Sequence, residues 1–142
     1  MLVLKPYQIE KVRELKFDFL KLLSQEKPSS IVFEAPTGSG KTIMMQEFLR
    51  QVAEIPKNRN LAFIWLSIGD LSRQSKESFE RNLESSKLIF SELPDVKTGA
   101  LRENEVLFIN WEKLKQKDSK TGEWKVLAMK DNEKDENIPI YM

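Results

Sequence analysis

The chain has 142 residues, 40% of them hydrophobic, and carries 23 basic against 22 acidic side chains. That length and apolar content suit one domain with a core and exclude a disordered composition, while the balanced charge supplies no strong field toward nucleic acid or an acidic membrane. Having no Cys and no His, the chain cannot build disulfides, thiolate metal sites, a Cys nucleophile or a Ser-His-Asp triad.

Met1-Leu2-Val3-Leu4 is too short for a signal-peptide core, and no apolar run reaches membrane-spanning length, so a soluble cytoplasmic protein without membrane partners is expected. Residues 6–23 read as the first helix. Pro6 suits a first turn, and Ile9, Val12, Leu15, Phe19, Leu22 and Leu23 recur at three- and four-residue spacing. Ser24 to Ser30, with Pro28, interrupts the pattern. The apolar run that follows, Ile31 to Ala35, reads as a buried strand, and residues 41–53 as an amphipathic helix.

Between that run and that helix stands Ala35-Pro36-Thr37-Gly38-Ser39-Gly40-Lys41-Thr42. Strand, glycine-containing loop ending Gly-Lys-Thr, then helix is the layout of a phosphate-binding P-loop. Gly38 and Gly40 lack a Cβ, so the backbone can take positive φ and approach a ligand closely. The loop N–H groups then form an anion-binding nest, reinforced by the positive end of the helix. Lys41 offers a full charge for the β- and γ-phosphates, and Thr42 a hydroxyl for Mg²⁺. A tight strand-to-helix turn without a ligand is the plainer alternative.

Pro56 to Asn60 is a polar turn, and Leu61 to Leu66 a continuous apolar run expected of a parallel strand covered on both faces. Residues 70–84 read as a helix with Leu71, Phe79 and Leu83 apolar among charges. Leu88-Ile89-Phe90 suggests a short strand and Val106 to Ile109 a stronger one. The alternation predicts an α/β layered fold. Residues 1–111 thus carry the motif-bearing core, whereas 112–142 hold seven basic and seven acidic side chains up to residue 137 and read as a charged insertion or hairpin.

Taken in order, Leu4-Lys5-Pro6-Tyr7-Gln8, Glu34 to Thr42, Leu66-Ser67 with Leu71-Ser72-Arg73-Gln74, and Val106 to Leu114 resemble the N-terminal part of a superfamily-2 (DEAD/DEAH-like) helicase-type ATPase. The likeness is greatest to the Res subunits of type III restriction enzymes. It implies a partial P-loop (RecA-like) parallel sheet flanked by helices, forming an incomplete first motor lobe. ATP and Mg²⁺ are the cofactors it implies, and its expected partners are duplex DNA and a modification methyltransferase subunit. Within it, Pro36, Thr37, Gly38, Ser39, Gly40, Lys41 and Thr42 hold the nucleotide. Gln8 reads the adenine edge through its amide, with Tyr7 against the base or the core. Ser67, Arg73 and Gln74 contact a DNA backbone, and Asn110 and Trp111 form a later contact in which the indole stacks on a base. For Gln8, Arg73 and Gln74 the plain alternative is an exposed helix face. For Trp111 it is a place in the core, which burial statistics favour. The loop opens on Ala35, where the general pattern has Gly.

A P-loop ATPase also needs an apolar strand ending in Asp-Glu, to hold Mg²⁺ and place the attacking water. Asp135-Glu136 follows polar residues, and Val106 to Ile109 ends in the uncharged Asn110, so no complete catalytic set is expected within these 142 residues. The acidic motif and second lobe would then lie beyond residue 142, leaving a nucleotide-binding portion of a helicase or translocase with little turnover of its own. Two alternatives stay open: a small P-loop kinase, weakened because the seven basic residues of 112–137 are all Lys, and a non-catalytic nucleic-acid or protein-binding module.

Overall fold

The computed structural model describes residues 2–56, 59–93 and 100–114. It divides into two compact units, Met1–Pro56 with Ser85–Lys87, and Lys57–Glu84 with Leu88–Met142. Asp135-Glu136 and most of the charged 112–142 segment fall outside the described residues.

The first unit is a helix pair and the loop between them. Helix α1 spans Pro6–Leu23, with Pro6 at its first position, where a missing N–H costs nothing. Lys5 N–H donates to Gln8 Oε1 at 2.8 Å, so the Gln8 side chain turns back to cap the helix start. Gln8, Val12 and Leu15 are buried, and Phe19 continues their stripe to meet Phe48 edge-on at 5.4 Å. Ile9, expected in that stripe, lies beside it and is exposed. Helix α2 spans Lys41–Glu54 and buries Met44, Phe48, Leu49, Val52 and Ala53. Lys16 ties the pair by donating to Gln51 Oε1 at 2.8 Å.

One expectation is corrected here. Ile31 to Ala35 is not a buried strand: it makes no ladder with any described residue, and Val32 is 82% exposed. An extended segment becomes a strand only when neighbours take up its N–H and C=O groups in a ladder.

The second unit is α/β. Strands β1 (Phe63–Ser67), β2 (Ile89–Ser91) and β3 (Glu105–Asn110) form a parallel sheet in the order β1-β3-β2, with helix α3 (Leu71–Asn82) against it and the short α4 (Trp111–Leu114) at its end. The central strand is therefore β3, and it is β3, not the 61–66 run, that is buried on both faces. On β1, Leu66 is exposed. Phe79 of α3 is fully buried, within 5.0 to 5.8 Å of the rings of Trp65, Phe108 and Phe90, so one helix side chain grips all three strands. Asn104, with φ of 61°, turns the chain so that its N–H donates to Leu61 O and its C=O accepts from Ile89 N–H. That residue links the run leading into β1 with the start of β2 before β3 begins.

Candidate functional site

The loop before α2 has the positive-φ glycines that the sequence pattern implies, although no strand precedes it among the described residues. Gly38 and Gly40 have φ of 77° and 86°, in the left-handed region that side chains other than glycine resist. Ser39 N–H donates to Pro36 O at 3.1 Å, closing a turn over Pro36–Ser39. Gly40 is the N-cap of α2 and has no side chain to cap it, so the helix opens with N–H groups available to an anion. Lys41 and Thr42, its first two residues, are exposed, as are Pro36 and Thr37.

An open concavity of about 610 Å³, lined by Phe33, Glu34, Ala35, Pro36 and Lys41, lies beside the loop. Its size is within the range of small-molecule sites. Ser39 Oγ is buried and has no hydrogen-bond partner, leaving a polar atom of the loop unsatisfied. Two glycines in the geometry of a nest, a free helix start, a lysine and a hydroxyl make a donor set for phosphate oxygens. Among the described residues no group of three or more His, Cys, Asp or Glu side chains is placed to hold a metal.

Tyr7 and Gln8 are brought to this loop, in a way sequence spacing does not reveal. Tyr7 O–H and Gln8 Nε2–H both donate to the Ser39 carbonyl, at 2.7 and 2.8 Å. Tyr7 is half exposed and lies outside the core, while Gln8 is only 6% exposed. Both ends of the Gln8 amide are engaged within the protein, Oε1 by Lys5 N–H and Nε2 by the loop. The Ser39 carbonyl was not among the expected site groups. The adjacent Tyr-Gln pair, upstream of a Gly-x-Gly loop, is the signal that points to it.

The second unit gathers another set. Ser67 and Asn110 are register partners at the carboxyl ends of β1 and β3. Asn110 Oδ1 accepts from the buried Ser72 hydroxyl in the first turn of α3. Trp111 follows at once and is 43% exposed, correcting the expectation of a core position: the chain leaves the sheet there, and the ring is carried past its end. With Leu66, Ser67 and Ile68 it lines a concavity of about 270 Å³. Arg73 and Gln74 sit exposed on the same turn as Ser72. The Arg73–Glu77 pair, 3.4 Å apart in solvent, does not hold the guanidinium firmly.

Three buried carboxylate and amide side chains went unnoticed in the sequence. Glu47 and Gln46 are buried on α2, and Glu105 opens β3. The Arg50 guanidinium, bonded to Glu47 at 2.6 and 2.8 Å, holds that carboxyl below its ordinary range, against the opposing effect of burial. Burial pushes Glu105 up, but the Arg102 backbone N–H at 2.6 Å and its guanidinium outweigh this and leave the carboxyl below its usual value. Their i,i+3 spacing to arginine is the signal that pairs them. Among the described residues no helix is long and apolar enough to cross a membrane.

The family model of the type III restriction enzyme res subunit matches residues 1–139. Comparison with curated proteins and with solved structures returned no match.

Proposed function

Because the chain belongs to the family of type III restriction enzyme res subunits, a superfamily-2 helicase N-terminal domain family, we propose that it binds the phosphates of ATP, with Mg²⁺, at Pro36–Thr42. The observation that carries this reading is the pair of positive-φ glycines set directly ahead of a 14-residue helix whose first residues are the exposed Lys41 and Thr42. Backbone N–H groups of the loop and helix start bond the phosphate oxygens, Lys41 neutralises charge on the β- and γ-phosphates, and Thr42 gives its hydroxyl to the metal. Bound Mg²⁺ supplies charge neutralisation across the phosphates. Arg50, the nearest helix cation in sequence, is already committed to Glu47 and Glu54, which leaves the phosphate role to Lys41.

In the same proposal, Ser67, Arg73, Gln74, Asn110 and Trp111 contact DNA. Hydroxyl, amide and guanidinium groups meet the backbone, and the exposed indole stacks on a base. ATP-driven movement on duplex DNA, within a type III restriction enzyme partnered by a methyltransferase subunit, is the setting these contacts serve.

Titration with a fluorescent adenine nucleotide tests the binding step. Saturable, Mg²⁺-assisted binding that Lys41→Ala removes supports it. A wild-type protein that binds no nucleotide, or a variant indistinguishable from it, contradicts it.

A further inference from the structure

The start of α3 and the end of β3 are joined by one side-chain hydrogen bond. Ser72, in the first turn of α3, is only 8% exposed, and its hydroxyl donates to Oδ1 of Asn110, the last residue of β3. An Asn placed directly ahead of a helical turn usually spends its oxygen on the first N–H groups of that helix. Here α4 starts at Trp111, yet the oxygen goes to a hydroxyl 38 residues earlier in the chain. The bond is therefore a tie between two elements and not a local cap. It also sets the direction of the amide. A carboxamide carries its oxygen and its NH₂ on opposite sides of one planar carbon, so holding Oδ1 toward Ser72 turns Nδ2 away from it. Among the described residues nothing takes up the Nδ2 hydrogens.

We propose that Ser72 is a positioning residue for the DNA contact, its hydroxyl locking the Asn110 amide so that the Nδ2 hydrogens meet phosphodiester oxygens. An unlocked amide can turn over and offer its own oxygen, which a phosphate oxygen repels. Holding the donor end outward before DNA arrives raises affinity by lowering the ordering cost of binding. The same bond ties the turn that carries Arg73 and Gln74 to the strand end where Asn110 pairs in register with Ser67. The lock rests on the reading of Asn110 as a DNA contact.

The test is a double-mutant cycle on the full chain, read by fluorescence anisotropy of a labelled single-stranded oligonucleotide at one fixed salt concentration. The temperature is one at which circular dichroism shows every variant folded. Ser72→Ala is expected to weaken binding about 3- to 10-fold, the effect of one lost hydrogen bond, and Ser72→Thr, which keeps the hydroxyl, to retain wild-type affinity. In an Asn110→Ala background, Ser72→Ala should change nothing further. Asn110→Asp keeps an oxygen for Ser72 but loses the donors, so it should bind more weakly than Ser72→Ala. Equal losses from Ser72→Ala in both backgrounds overturn the proposal, because Ser72 would then act without Asn110. Wild-type affinity in Ser72→Ala or in Asn110→Asp overturns it too, as does a loss in Ser72→Thr equal to that in Ser72→Ala. A wild-type protein that binds no oligonucleotide overturns the DNA reading itself, and the lock with it. That outcome is distinct from one in which wild type binds and the variants match it.

Discussion

Gln8 Nε2 stands 2.5 Å from where a side chain on Gly40 would begin, so the amide and the glycine are fitted to one another. Gly38, with a similar φ of 77°, has open space around it. Gly38→Ala and Gly40→Ala should therefore differ. Both incur left-handed strain of about 1–2 kcal/mol. Only Gly40→Ala must also push away an amide held by two hydrogen bonds. Thermal melts should show the larger loss for Gly40→Ala, and a background of Gln8→Ala should shrink the difference. Equal losses in both backgrounds would mean that the fit has no energetic weight.

Phe79 should be the most sensitive position of the second unit. It is fully buried, against Trp65, Phe90 and Phe108 from three strands. Phe79→Ala is expected to lose about 3–5 kcal/mol in urea denaturation, and Phe79→Leu clearly less, because a smaller cavity remains. A small loss for the alanine variant would show that the ring cluster is not the core of the sheet.

Acid should loosen the helix pair through Glu47. Its carboxyl is held below the ordinary glutamate value of 4.5 by the hydrogen bonds of Arg50. A group with a lowered folded pKa stabilises fully above its unfolded value and loses that contribution as pH falls through the folded one. Stability of the wild type should therefore decline below 4.5, and Glu47→Gln should be less stable at neutral pH with a flatter acid limb. Urea midpoints from about pH 3 to pH 7 check both. An unchanged acid limb in the variant would remove Glu47 from the explanation.

Trp111 and Arg73 should separate two kinds of DNA contact. Loss of the exposed indole in Trp111→Ala should cost about 1–3 kcal/mol in binding a single-stranded oligonucleotide, with the salt dependence kept. Arg73→Ala should weaken binding across all sequences and lower the salt slope by about one. Fluorescence anisotropy at several salt concentrations reads both. Wild-type affinity in the two variants would place the DNA path elsewhere.

The helices were legible in the sequence. Apolar spacing with Pro6 and Gly40 at the starts marked residues 6–23 and 41–53, against observed Pro6–Leu23 and Lys41–Glu54. Helix α3 and all three strands of the sheet were legible too, as short apolar runs. Which run sits centrally was not, because strand order depends on partners far away in sequence, and the runs of β1 and β3 look alike. For the same reason Ile31 to Ala35 read as a buried strand, although no described strand pairs with it. Gln8 shows the same gap at the site. A pattern match indicates that an amide belongs near the glycine loop, but only the fold shows that it bonds the Ser39 carbonyl. The exposure of Trp111 is not legible either, because average burial of Trp carries no information about where the chain leaves a sheet.

Amide hydrogen exchange, followed by mass spectrometry with and without Mg²⁺ and ATP, bears most directly on the proposed phosphate site, because the donors proposed for it are backbone N–H groups. Slowed exchange concentrated in the segment from Ala35 to Met44, and abolished by Lys41→Ala, is the result expected of a cradle formed by Gly38, Gly40 and the start of α2. Unchanged exchange in that segment at saturating nucleotide, or protection confined to other parts of the chain, would contradict it.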